Sequence, residues 1–147
     1  MYQYYNANVL NKNVADCTVR AISCASNKSW DYVYDYLSNL AQKQGTMMDN
    51  REFIINFLDS KYKRIPVKNE TVGELAMRYP NHVLLITMLG HITCSKNGGI
   101  VYDTFDCTNR KAEFCWLVKW TTISKFCFWV FWQIYANWIV GKWIINL

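Results

Sequence analysis

The chain has 147 residues, 16 basic and 11 acidic side chains, and a formal net charge of +5. That length suits a single domain able to bury a core without disulfides or a structural metal. The positive excess is too small and too dispersed for a nucleic-acid-binding surface, and "KYKR" at 61–64 reads as a short solvated turn rather than a phosphate patch.

The six cysteines, at positions 17, 24, 94, 107, 115 and 127, form no CxxC pair and no zinc-ligand spacing. Neither a metal nor a cofactor is expected. The opening "MYQYYNANVLNKN" lacks the charged and apolar regions of a signal peptide. The expected setting is therefore a reducing cytoplasm with free thiols.

In chain order, Asp16 is placed to cap a helix over about 17–26, with Val19, Ile22, Ala21 and Ala25 available for packing. A second helix is predicted from Ser29, where Trp30, Val33, Tyr34, Leu37, Leu40 and Ala41 recur at helical spacing until Gly45. Residues 49–60 give a third, buried through Phe53, Ile54, Phe57 and Leu58. Thr71 and Glu74 match a capping box, opening a short helix that stops before Pro80.

The pattern then changes to β-branched and aromatic runs: "HVLLITML" (82–89), "HITCS" (91–95), "GIVYDTF" (99–105) and "EFCWLVKW" (113–120). The first two read as one long strand bent at Gly90. "SKNGG" (95–99) is a hairpin signal. Helices followed by a small antiparallel sheet make an α+β plan.

Cys17 stands at the first helix start, where backbone N–H groups and the helix dipole favour a thiolate. It needs a base, and the chain has two histidines, His82 and His91. His82, beside Pro80 and Asn81, reads as solvated. His91 follows Gly90 in mid-run, an awkward place for a merely structural polar group.

The hairpin register tests its acid partner. A three-residue loop at Asn97–Gly99 sets His91 opposite Phe105 with Asp103 diagonal on the same face. A two-residue loop at Gly98–Gly99 puts Asp106 opposite His91. A two-residue loop at Asn97–Gly98 opposes His91 to Thr104 and turns Asp103 away. Arg20, one turn beyond Cys17, reads first as a surface salt-bridge partner of Asp16. Cys24, Cys94, Cys107 and Cys115 read as packing residues.

The order Cys, His, Asp resembles the papain-like cysteine peptidase fold. More closely, "DCTVRAIS", "TVGEL", "GHITC" and "YDTFDCTNR" are similar to a family of small phage-associated proteins of that type, over residues 13–120. The resemblance implies Cys17 as nucleophile, His91 as general base and Asp103, within Asp103-Thr104-Phe105, as the orienting acid. It implies an oxyanion hole of the Cys17 backbone N–H and a side-chain amide. Papain-like enzymes carry a glutamine for that amide. Here Asn11 holds the family-like spacing of six, one methylene shorter.

The implied activity is thiol-dependent acyl transfer, most simply peptide or isopeptide hydrolysis on a peptide or protein substrate. Transamidation and deamidation share the same chemistry. The alternative is a catalytically weak or inactive module that binds a host protein, motivated by the missing glutamine.

Residues 121–147 form a separate hydrophobic tail after the 1–120 domain. Residues 126–141 are a charge-free run of 16 between Lys125 and Lys142. As a helix it spans about 24 Å, short of the ~30 Å hydrocarbon core unless lysines and aromatic ends close the gap. The first reading is a C-terminal membrane anchor with the catalytic part on the cytoplasmic side. The others are an element packed on the domain or a partner, and an extension outside the fold. The expected location is the cytoplasm, host cytoplasm if phage-encoded, with membrane contact through this tail.

Overall fold

A computed structural model describes residues 1–118, as four helices and a six-stranded sheet. The elements are β1 (Tyr2–Tyr4), α1 (Cys17–Ser26), α2 (Trp30–Lys43), α3 (Arg51–Lys61), β2 (Lys63–Ile65), α4 (Val72–Arg78), β3 (Val83–Met88), β4 (His91–Lys96), β5 (Ile100–Asp103) and β6 (Phe114–Val118). The class is α+β. The expected anchor segment lies outside the described residues, and among the described residues no helix is long and apolar enough to cross a membrane.

Local capping chemistry sets three of the helix starts. The Ser29 hydroxyl accepts from the Tyr32 N–H at 3.3 Å, and the Asn50 side chain accepts from Phe53 N–H at 3.0 Å. The capping box of α4 is complete: Thr71 N–H donates to Glu74 at 2.7 Å and Glu74 N–H to the Thr71 hydroxyl at 3.2 Å. The start of α1 differs from expectation. Asp16 occupies the cap position, yet its carboxylate makes no capping bond. It is drawn instead to Arg20 and to the Trp30 indole, 2.8 Å away.

The strand order is β1-β5-β4-β3-β6-β2, with β1 parallel to β5 and every other pairing antiparallel. The sheet is thus mixed and larger than the small antiparallel one expected. The bent single strand is corrected to a hairpin: Met88 pairs with His91, and Leu89 and Gly90 form the turn, Gly90 at φ +68°. A glycine supplies that left-handed conformation without steric cost. "KYKR" is corrected as well. Its last two residues enter edge strand β2, where Arg64 pairs with Asp59 and lies over the Phe114 and Trp116 rings.

Both faces of the sheet are covered. Val83 and Leu85 of β3, Ile92 and Cys94 of β4, Tyr102 and Trp116 pack with α1, α2 and α3. Leu84, Ile86 and Met88, with Val101 and Cys115, pack with Val72, Leu75 and Ala76 of α4. Alternate residues of β3 therefore enter different cores, which is why the whole strand is buried and its sequence lacks polar alternation.

The β4–β5 register pairs Cys94 with Tyr102 and Lys96 with Ile100, leaving a three-residue loop at Asn97–Gly99. Of the three registers open to the sequence, this is the one that leaves Asp103 diagonal to His91. Gly99 has φ +82°, and a Cβ there would lie 2.9 Å from the Ala76 carbonyl oxygen of α4. Gly99→Ala adds that clash to the left-handed penalty and is expected to lower the urea midpoint by the equivalent of about 2–5 kcal/mol with an unchanged m value. Gly90→Ala, whose Cβ would meet nothing within 4 Å, should cost only the left-handed penalty of about 1–2 kcal/mol. Equal losses would contradict the close approach at Gly99.

Candidate active site

Three elements converge at one end of the sheet. α1 presents Cys17 from its first residue, β4 presents His91 from its first, and β5 presents Asp103 from its last. The His91 Nε2 lies 2.7 Å from the Asp103 Oδ2, so Nε2 is the natural place for the ring proton. Cys17 and His91 line one cavity and each shifts the other's proton affinity; with Nε2 on Asp103, Nδ1 is the ring nitrogen left for the sulfur. Phe105 lies on the imidazole with ring centroids 4.8 Å apart, and Asp103 itself is 1 % exposed.

The electrostatics pull the pair in opposite directions. Burial drives the Cys17 thiol up, but the hydrogen bond and charge of His91, the Ile92 backbone N–H and the Arg20 charge outweigh it, holding the thiol below its usual value. Burial would lower His91; Asp103 and Cys17 overcome this and raise it to about 9. Burial likewise raises Asp103, and its bonds to His91 and to the Thr104 N–H prevail, holding it below the usual carboxylate range. Both shifts run toward thiolate beside imidazolium.

Other expected residues fall elsewhere. His82 is exposed, edge-on to Tyr79. Asp106 is exposed and accepts from the Thr108 N–H and hydroxyl at 3.0 and 2.6 Å. The structure does not bring Asn11 to the thiol. It is exposed, bends the loop at φ +50°, and its side-chain oxygen accepts from Asn6 at 3.3 Å. Arg20 is the main correction: its ion pair with Asp16 is not on the surface, because Arg20 is 5 % and Asp16 6 % exposed.

Sequence reasoning passed over two contributors. Cys107 donates its thiol to Asp103 Oδ2 at 3.7 Å, and burial pushes that thiol to about 12, so it stays protonated as a donor. β1 was missed altogether: the Tyr5 N–H donates to the Asp103 carbonyl at 2.8 Å and Tyr4 pairs with Asp103. A three-residue strand has too few positions to display a period. The one signal was the extended, aromatic "YQYY" itself.

A cavity of about 310 Å³ opens onto Cys17 and His91. Met48, Ile54, Ile55 and Met88 supply apolar wall, while Asp49 and the paired Arg51 and Glu113, 3.0 Å apart, line it too. No Asn or Gln lines it among the described residues. With the Asp16 carboxylate turned away, the first-turn N–H groups of α1 have no side-chain cap and can meet an anion beside the sulfur. Among the described residues no group of three or more His, Cys, Asp or Glu is arranged to hold a metal ion. No family model, curated protein or solved structure matches this chain.

The shifts set two pH expectations. Alkylation of Cys17 by iodoacetamide should switch on below the pH of an ordinary cysteine, and His91→Ala should move that limb upward. Because His91 is raised above the ordinary histidine value of 6.5, its stabilising contribution is full below 6.5 and is lost as pH rises through about 9. The melting-temperature gap between wild type and His91→Ala should therefore close across that window. A gap constant with pH would contradict the raised value.

Proposed function

We propose that the chain is a thiol-dependent acyl-transfer enzyme of papain-like type, acting most simply as a peptide or isopeptide hydrolase. The observation that carries the reading is that Cys17 and His91 line one cavity while the His91 ring is held 2.7 Å from the buried Asp103 carboxylate. The resemblance of "DCTVRAIS" and "YDTFDCTNR" to phage-associated papain-like proteins supports the same reading, and the two together make a phage-encoded enzyme of the host cytoplasm the proposal.

The Cys17 thiolate attacks the acyl carbonyl carbon, and the oxygen takes the developing charge facing the first-turn N–H groups of α1. His91 passes its Nδ1 proton to the leaving amine, giving free amine and a Cys17 thioester. Water then loses a proton to His91 and attacks the thioester carbon, expelling the sulfur, releasing the acid and restoring the thiolate–imidazolium pair. Asp103 keeps the ring in the tautomer that presents Nδ1 and stabilises its cation. No cofactor takes part.

The apolar wall of Met48, Ile54 and Ile55 suits a medium aliphatic side chain on the substrate. The second reading, a weakly active or inactive module that binds a host protein, is favoured by one observation: no side-chain amide lines the cavity.

An electrophilic peptide probe carrying leucine or methionine should label wild type and leave Cys17→Ala unlabelled; equal labelling of both would end the enzyme proposal. Asp103→Asn should cut kcat/KM by roughly 100–10,000-fold. Ile54→Glu should lower kcat/KM for aliphatic peptides by about 10–100-fold, mostly through KM. A host protein retained equally by wild type and Cys17→Ala, with no turnover of any peptide, would favour the binding module.

A further inference from the structure

We propose that Arg20 is a positioning residue of this site: its guanidinium joins Asp16, at the mouth of the nucleophile helix, to Asp103, and so decides which carboxylate oxygen His91 meets. The inference rests on the Cys17–His91–Asp103 reading and adds a fourth residue to it.

The two terminal nitrogens of Arg20 go to two different acids. Nη1 pairs with Asp16 Oδ1, and Nη2 lies 3.2 Å from Asp103 Oδ1. Asp16 is tied down on its far side, since Oδ2 accepts from the Trp30 indole at 2.8 Å. Asp103 Oδ1 also accepts from the Thr104 N–H at 2.7 Å. That oxygen is thereby occupied, and Oδ2 is left to His91 at 2.7 Å, with the Cys107 thiol more distant at 3.7 Å. The oxygens of Asp103 are divided between holding and working.

The guanidinium suits this geometry. A planar fork can serve two carboxylates at once, whereas a lysine offers one point charge. The link also ties α1 to the end of β5, so the helix that carries the sulfur and the strand that carries the acid share one rigid connection. Removing it leaves Asp16 and Asp103, 6 % and 1 % exposed, without their common cation. Among the described residues no other Arg or Lys is ion-paired with either.

The charged and titratable groups around the sulfur are few enough to interpret a titration. Asp16 stands at the cap of its own helix and Arg20 on it, His91 on β4, Asp103 at the end of β5 and Cys107 in the segment after it. Asp49, Arg51 and Glu113 line the cavity before it. The Arg20 charge adds to those that favour thiolate at Cys17.

The test measures iodoacetamide alkylation of the full-length chain against pH, with the Cys17→Ala rate subtracted, together with the downfield proton resonance of His91 Nε2–H. Two variants are used. Arg20→Lys keeps the charge and loses the fork. The double variant Arg20→Met with Asp16→Asn leaves the local net charge unaltered, strands no carboxylate at position 16, and keeps the test open should the single variant fail to fold. Both should lower the neutral-pH alkylation rate roughly tenfold, one pH unit of limb displacement, and weaken the downfield signal. A folded variant that keeps the wild-type limb and resonance would overturn the positioning role. Wild-type Cys17 reacting like an ordinary thiol would instead overturn the enzyme reading beneath it.

Discussion

A carboxylate that is 1 % exposed must be compensated on every side, and Asp103 is compensated by groups from four parts of the chain. Its side chain accepts from His91, Arg20, the Thr104 N–H and Cys107. Its carbonyl accepts from the Tyr5 N–H of the segment following β1. Burying such a charge unpaired costs several kcal/mol, so the arrangement holds together as a unit or not at all. The parallel pairing of β1, the β4–β5 register and the placement of α1 all meet at this residue. The fold and the site therefore share one constraint.

The apolar structure explains why the meeting point is rigid. β3 is buried on both faces and anchors β4 on one side and β6 on the other. α1 lies against β4 through Val19, Ile22 and Cys24 in the larger core, and α4 closes the opposite face through Val72, Leu75 and Ala76. Close-packed interiors deform little. Cys17 and His91 extend from the ends of packed elements, where the side chains reach a cavity while their backbones stay fixed. A site on such ends loses less orientation than one on loops.

The chemistry follows from unequal surroundings given to two groups. His91 gains from both of its partners and rises to about 9, while the Cys17 thiol is drawn down by the same imidazole and by Arg20. Arg20 takes Oδ1 of Asp103 and leaves Oδ2 to the imidazole, so the two cations share the acid without displacing each other. In place of a side-chain amide, the uncapped first turn of α1 faces the cavity, because Asp16 spends its carboxylate on Arg20 and Trp30.

What the sequence by itself determined is local. Ser29, Thr71 and Glu74 announced their helices because a cap acts within three or four residues, and Cys17 at a helix start carried its own electrostatic reason. The turn at 95–99 marked a hairpin, yet its sequence allowed three registers, each giving His91 a different neighbour. Tertiary structure chose among them: β1 pairs with β5 across about a hundred residues, and Gly99 must clear the Ala76 carbonyl of α4. The same distance concealed Arg20, whose spacing to Asp16 looked like an ordinary exposed helix pair. Its second acid, Asp103, lies 83 residues away, and only the packing of α1 onto the sheet turns that surface pair into a buried bridge. Short-range signals fix where elements start and stop; which side chains end up sharing a charge depends on how the elements pack.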